Sequence, residues 1–545
     1  MRWSQGGGAA PPPLGITAQT SLGELLPFLQ DVLNGNHLFE RRPWAEDLKD
    51  WDLAIRADAV AHHQSLSSQD LSRLSADEMV EYLEKCYANS VYGSNIHFGL
   101  GSLGLGSAFG TPLNDFLGHV FHWTGGKSAA EPGRVTARLA LDCLAGSSSP
   151  SVIATNAEAI SASRAIIASA RATQTLMQAG STDDAAATHA IQKLEADDDV
   201  AQPFLAFKAL VGYRLTDSHT GIATAPYLLE TPSTFIRLLR SCVEHVQACD
   251  RAGVPATTSP VKHVSDAAIQ RVRAEIPGQH LQFFDQLLQE ARSCYKLRDE
   301  RVNYGDAWAN GITRRAMIEC GKRGGLDDPV AAVEATHEQL KELIGGAPST
   351  ETVAALTALR EQRHASKIHF LPPRLEGPPQ EPHPPADTAA YDAVLSWLPP
   401  NAAETLQRMH RLNDVRGHLE AFVGTNHPGT TLLQGVGISG SVYEGIALVG
   451  VIGVDLNVSS FAPGVILVTQ ATSSSFNLVC PSLGGLVCDG GSLLSHPAIT
   501  AREHGLPTVV AAGGCCSCIN TGDTLRIDPD NNTVEILSRA ASAKM

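Results

Sequence analysis

His496 is the residue of this 545-residue chain whose neighbours best suit covalent chemistry. It lies in Asp489-Gly-Gly-Ser-Leu-Leu-Ser-His-Pro-Ala-Ile-Thr-Ala-Arg-Glu-His-Gly-Leu-Pro-Thr-Val-Val510. Gly490 and Gly491 mark a turn, Ser495 reads as a helix N-cap and Pro497 suits a first helical turn. Ala498 to Glu503 is a good helix-forming run, and Gly505 followed by Pro507 is a stop signal. The spacing therefore predicts a short helix with His496 at its mouth. Unpaired backbone N–H groups and the positive end of the helix dipole favour a negative charge there, such as a phosphoryl group on the imidazole. Histidine is itself a competent covalent carrier.

Other residue types could act on such a group. Arg298 and Arg301 lie three apart on one helical face, as do Arg301 and Tyr304. That face either clamps a phosphoryl group through charge-assisted hydrogen bonds or is a solvated ion-pair face shared with Asp299 and Glu300. His97, His119, His122 and His219 are candidates for a base that relieves a hydroxyl of its proton, although each also fits a structural role. Three of them fall in or just after a glycine-rich segment, Tyr92 to Phe121. It reads as a substrate-lining loop and helix, or as helices that use glycine for close approach. Cys515, Cys516 and Cys518 form a C-C-x-C cluster with no matching second half, so small buried or turn thiols are the expectation and no metal is assigned.

The elements that must position these residues change character along the chain. Residues 1–18 read as a flexible arm rich in Gly, Ala and Pro. From Ser21 the apolar spacing is helical, Ser75-Ala-Asp-Glu78 carries a capping-box signature, and residues 130–250 are alanine-rich helices. A proline-rich stretch from Leu371 to Pro385 reads as a semi-rigid linker, followed by a helical insertion from Ala389 to Val423. Beyond Thr430 short β-like runs broken by glycine take over: Gly445–Val454, Gly464–Thr469, Leu486–Cys488, Thr508–Ala512, and a closing hairpin of Thr524–Asp528 with Thr533–Leu537. The fold class is thus α+β and multidomain: a large, mostly helical domain over 19–375, a linker and insertion over 376–429, and a compact α/β domain over 430–540.

Composition narrows the function. With 43% hydrophobic residues the chain can build two or three cores. A net charge of −16 without a basic stripe argues against nucleic acid and anionic membrane as partners. No apolar signal region or 18-residue apolar run occurs, and eleven cysteines without a regular framework fit a reducing compartment, so a cytoplasmic protein is expected.

The ordered set Gly490-Gly491, Leu494-Ser495-His496, Ala498-Ile499, Ala501-Arg502-Glu503, Gly505, Pro507 and Val509-Val510 resembles the swivelling phosphohistidine domain of the PEP-utilising enzymes, which include PEP synthase, pyruvate phosphate dikinase and rifampicin phosphotransferase. Gly435 to Gly445 is similar to the glycine-rich opening of that domain, and Pro463 to Thr469 to its second strand. Further upstream, Gly212-Tyr213-Arg214 with Glu230-Thr-Pro232, and Leu297 to Tyr304 with Gly321 and Gly325 to Pro329, resemble elements of the family's helical substrate domain. The resemblance implies that His496 carries phosphate between two sites, with Ser495 and Arg502 steadying it. It also implies that Arg214, Tyr304 and the histidines named above line a substrate site.

These enzymes usually carry an ATP-grasp domain that loads the histidine, and no glycine loop followed by a lysine of the phosphate-cradling type stands in the first 390 residues. The arrangement resembles the histidine-bearing subunit of phenylphosphate synthase. It implies a phosphotransferase, or kinase, component that binds no cofactor by itself. ATP or PEP would serve as phosphoryl source, with Mg supplied through a separate ATP-grasp subunit, and a small hydroxylated organic molecule as acceptor. A repurposed protein that binds or transforms a metabolite without phosphoryl transfer, as a lyase, isomerase or cyclase, is the other reading.

Overall fold

The computed structural model describes residues 51–98, 113, 115–121, 123–124, 135–146, 153–179, 183–216, 225–295, 297–365, 426–450, 456, 461–470, 479–491, 493 and 495–540. The arm, the helix expected from Ser21, half of the glycine-rich segment, and the linker and insertion over 371–423 lie outside these residues.

Among the described residues, the elements up to Ala365 are helices. The Ala76–Phe98 helix begins with the expected capping box: Glu78 N–H donates to Ser75 Oγ at 3.3 Å, and Ser75 N–H donates to the Glu78 carboxylate at 2.8 Å. Pro232 occupies the first turn of the Pro232–Ala252 helix, and Gly253 closes it in the left-handed region at φ 67°. The long buried Asp306–Arg323 helix packs along Ala76–Phe98 and carries Trp308, Ile312 and Ala316 into the main helical core.

Residues 432–538 form an eight-stranded mixed sheet. Its strands are β1 (Leu432–Gln434), β2 (Val436–Ser439), β3 (Tyr443–Val449), β4 (Ile466–Thr469), β5 (Gly485–Cys488), β6 (Thr508–Val510), β7 (Thr524–Asp528) and β8 (Thr533–Ser538). Their spatial order is β1-β8-β7-β3-β4-β5-β6-β2, with β3 to β6 parallel and the outer pairs antiparallel. The runs read from sequence contain strands, and the β7–β8 hairpin forms. Cys515–Cys518, expected as small buried or turn thiols, makes one helical turn with its three cysteines buried.

Side-chain alternation along the parallel strands gives the sheet two apolar faces. Leu467, Leu486 and Val510 point to one core, while Ile466, Val468, Val487 and Val509 point to another, beneath the β7–β8 hairpin and the Cys515–Cys518 turn. The first face is not closed by the C-terminal elements alone. Phe116, Leu117, Leu141 and Phe284, from the helical part of the chain, complete its core together with Phe461, Ala498 and Ile499. The helices over 56–98, 153–243 and 297–356 share a different core.

Candidate active site

Ser495 takes an extended N-cap conformation, φ −65° and ψ 155°, and His496–His504 forms the helix expected from its stop and start signals, with proline in the first turn. Gly505 ends it at φ 63°, a conformation that costs glycine little, and Leu506 N–H returns to the Ala501 carbonyl at 2.9 Å. The turn leading in is anchored to the sheet: Asp489 N–H donates to the Thr469 carbonyl at 2.9 Å and Gly490 N–H to that of Gln470 at 3.1 Å. His496 thus begins a helix whose leading turn is tied to the end of β4; its side chain lies outside the described ones.

Arg502 is buried. It donates from Nε to Asp142 Oδ1 at 3.1 Å and from a terminal nitrogen to the Tyr295 hydroxyl at 3.2 Å, with longer contacts of 3.5 Å to the carbonyls of Leu493 and Ala498. Its charge is thus taken up by a carboxylate of the helical part, while the turn before His496 receives only the long contacts. Burial alone would lower its pKa, but Tyr295 and Asp142 outweigh burial and raise it. Asp142 is pushed upward by burial, which Arg502 offsets in part. Arg138, donating to the Pro529 carbonyl at 2.7 Å, and Arg237, donating to that of Phe461, add ties between the two parts.

The Leu297–Tyr304 helix forms as expected. Arg301 on it is half-buried and Tyr304 is buried, while the side chain of Arg298 lies outside the described ones. Arg214 is brought to Tyr304: its guanidinium carbon stands 4.7 Å from the Tyr304 ring centre and 5.0 Å from that of Trp308. The backbone around it is fixed by Leu215 N–H donating to the Ala307 carbonyl at 2.9 Å and by Leu228 N–H donating to that of Arg214 at 3.0 Å. Glu230, from the Glu-Thr-Pro element, makes a bidentate pair with Arg314 at 2.7 Å for both bonds, so that element acts as a clamp on the buried helix.

Of the candidate bases, His119 is exposed and stacks among Trp123 and Phe283, each 5.2 Å away between ring centres. The His97 side chain, His122 and His219 lie outside the described residues. His63, which sequence reasoning passed over, is fully buried beside this group, with Nε2 2.8 Å from the Tyr304 carbonyl oxygen. Nothing in its local sequence distinguishes it from the exposed His62.

Asp489, Cys515 and Cys516 converge, with their potential ligand atoms within 4.8 Å of one another. Cys516 N–H donates to Asp489 Oδ1 at 3.1 Å, so the carboxylate caps the Cys515–Cys518 turn.

Residues 461–532 match the PEP-utilising enzyme mobile domain. This segment belongs to that family. The chain is 35% identical over 104 residues to rifampicin phosphotransferase of Bacillus subtilis, covering 19% of this chain and 12% of that protein. It is 43% identical over 74 residues to the prodigiosin synthesizing transferase of Serratia marcescens (14% and 8%) and 31% identical over 70 residues to phosphoenolpyruvate synthase of Synechocystis (13% and 9%). The match thus spans about a tenth of the length of these curated relatives. No described helix is long and apolar enough to cross a membrane.

Proposed function

We propose that this chain is a phosphotransferase component in which His496 carries a phosphoryl group to a hydroxyl of a small organic acceptor held by the helical part. The observation that carries this reading is the place of His496: first residue of a helix, behind a turn anchored to parallel strands, inside the segment that is similar to the mobile domain of PEP-utilising enzymes. A phosphoryl group on that imidazole would face the unpaired N–H groups of the first helical turn. In-line transfer needs positioning and charge stabilisation more than further covalent help, a task suited to Arg298 and Arg301 on the Leu297–Tyr304 helix. Loading from ATP or PEP, with Mg, falls to a separate ATP-grasp subunit in this reading.

The test is acid-labile labelling of the full chain with radiolabelled ATP, or PEP as alternative donor, in the presence and absence of candidate ATP-grasp proteins. Wild type should be labelled when a partner is supplied and His496→Ala should not. Equal labelling of both would remove His496 from the reading, and self-phosphorylation by the lone chain would remove the partner.

A further inference from the structure

Arg214 is a fully buried cation whose hydrogen bonds go unmade. None of Nε, Nη1 or Nη2 reaches a partner at hydrogen-bond geometry among the described residues, and no carboxylate there forms an ion pair with it; the Tyr304 hydroxyl and, more weakly, Glu158 are the groups that favour its charge. Its two ring neighbours, Tyr304 and Trp308, each lie beneath the guanidinium carbon, a favourable cation–π arrangement. An unpaired buried charge is costly, and proteins retain one where something else neutralises it.

Other buried polar groups of this part of the core are also short of partners. Asn89 is fully buried on the Ala76–Phe98 helix with both amide atoms unmet, and Trp308 Nε1 is unmet as well. His63 packs against Trp308 at 5.2 Å between ring centres; it neighbours both Asn89 and Arg214, although Asn89 does not reach hydrogen-bond geometry with it. Burial holds His63 near a pKa of about 4, so it is neutral at pH 7 and adds no second positive charge. With Nε2–H donated to the Tyr304 carbonyl, its Nδ1 is left as an acceptor without a partner.

We propose that Arg214, Asn89 and Trp308 form a binding site for the carboxylate of a small organic acid. The charge count favours this anion: one arginine balances one carboxylate, whereas phosphate carries ~1.5–2 negative charges near neutral pH and would be left in excess. Shape points the same way, since a flat carboxylate matches the planar fork of a guanidinium in a bidentate pair. The aromatic walls of Trp51, Tyr304 and Trp308 suit an apolar body behind the charge. Calling this ligand the phosphoryl acceptor rests on the carrier reading above; the binding itself does not.

The experiment is calorimetric titration of the full chain with benzoate and acetate at fixed ionic strength, with inorganic phosphate as comparison, alongside Tm measurements at each concentration. The wild type should bind benzoate saturably and gain Tm with it by mass action. Arg214→Met should lose at least about 10-fold in benzoate affinity, the loss expected for charged hydrogen bonds, while its Tm without ligand equals or exceeds that of wild type. Trp308→Phe, which removes only the indole N–H among polar groups, should weaken benzoate several-fold and supplies the same reading if Arg214→Met does not fold. His496→Ala should bind benzoate like wild type, which separates failure of this site from failure of the carrier reading. Absence of any saturable carboxylate binding, binding of phosphate alone, or unchanged benzoate affinity in the folded Arg214 and Trp308 variants would overturn the proposal.

Discussion

His63 is where a single residue registers the state of the whole helical core. Its imidazole has no exposure, and burial is the main reason its pKa falls from 6.5 to about 4, with His62 and Arg214 adding smaller pushes in the same direction. The unfolded chain takes up a proton below pH 6.5, whereas the folded chain resists until about pH 4. The neutral imidazole therefore contributes stability that is whole above pH 6.5 and is lost as pH falls through that window, up to about 3 kcal/mol. In urea unfolding at pH 7.5 and pH 5, the wild type should lose more stability than His63→Gln on acidification. Parallel losses in the two proteins would mean that His63 is hydrated or already protonated in the fold.

At the scale of elements, the Gly-Tyr-Arg segment and the Asp306–Arg323 helix meet backbone to backbone. A Cβ added at Gly311 would stand 1.7 Å from the Tyr213 carbonyl oxygen, and neither atom belongs to a flexible side chain. Gly311→Ala should accordingly destabilise the protein by about 3 kcal/mol or more, at the upper end of overpacking costs, and should also weaken any ligand held by Arg214. Gly118, in a helical stretch with open space where a Cβ would go, is the control; alanine there should be neutral or stabilising by up to ~1 kcal/mol. Thermal unfolding of the two variants side by side reads the difference, and equal Tm values would mean that the Tyr213 backbone gives way.

For the molecule as a whole, the feature that bears most on carrier chemistry is the shared core beneath the sheet. Phe461, Leu486, Ala498 and Ile499 are covered by Phe116, Leu117 and Phe284. Uncovering a large buried apolar side chain costs about 1.5–3 kcal/mol, so a carrier that leaves this contact must find another surface or take the covering helices with it. The Asp142–Arg502 pair sits within the same contact. Asp142→Ala should cost about 3–5 kcal/mol by leaving Arg502 buried and unpaired, and Asp142→Leu combined with Arg502→Met should recover most of that loss. A double-mutant cycle by urea unfolding measures the coupling. Near-zero coupling would indicate that the two parts stand apart in solution.

What the sequence determined by itself was local. Caps, stops and short-range periodicity are written in neighbouring residues, which is why the His496–His504 helix, the Ser75 capping box, the Leu297–Tyr304 helix and the strands beyond Thr430 were legible. The parallel order of β3 to β6, the sharing of one sheet face with helices more than 150 residues upstream, and the charge partner of Arg502 were decided only by tertiary structure. Each depends on contacts between residues far apart in sequence, which no spacing rule encodes. The same holds for His63 and Asn89: what singles them out is burial, and burial in a helical core follows from how helices pack rather than from the identity of the residue.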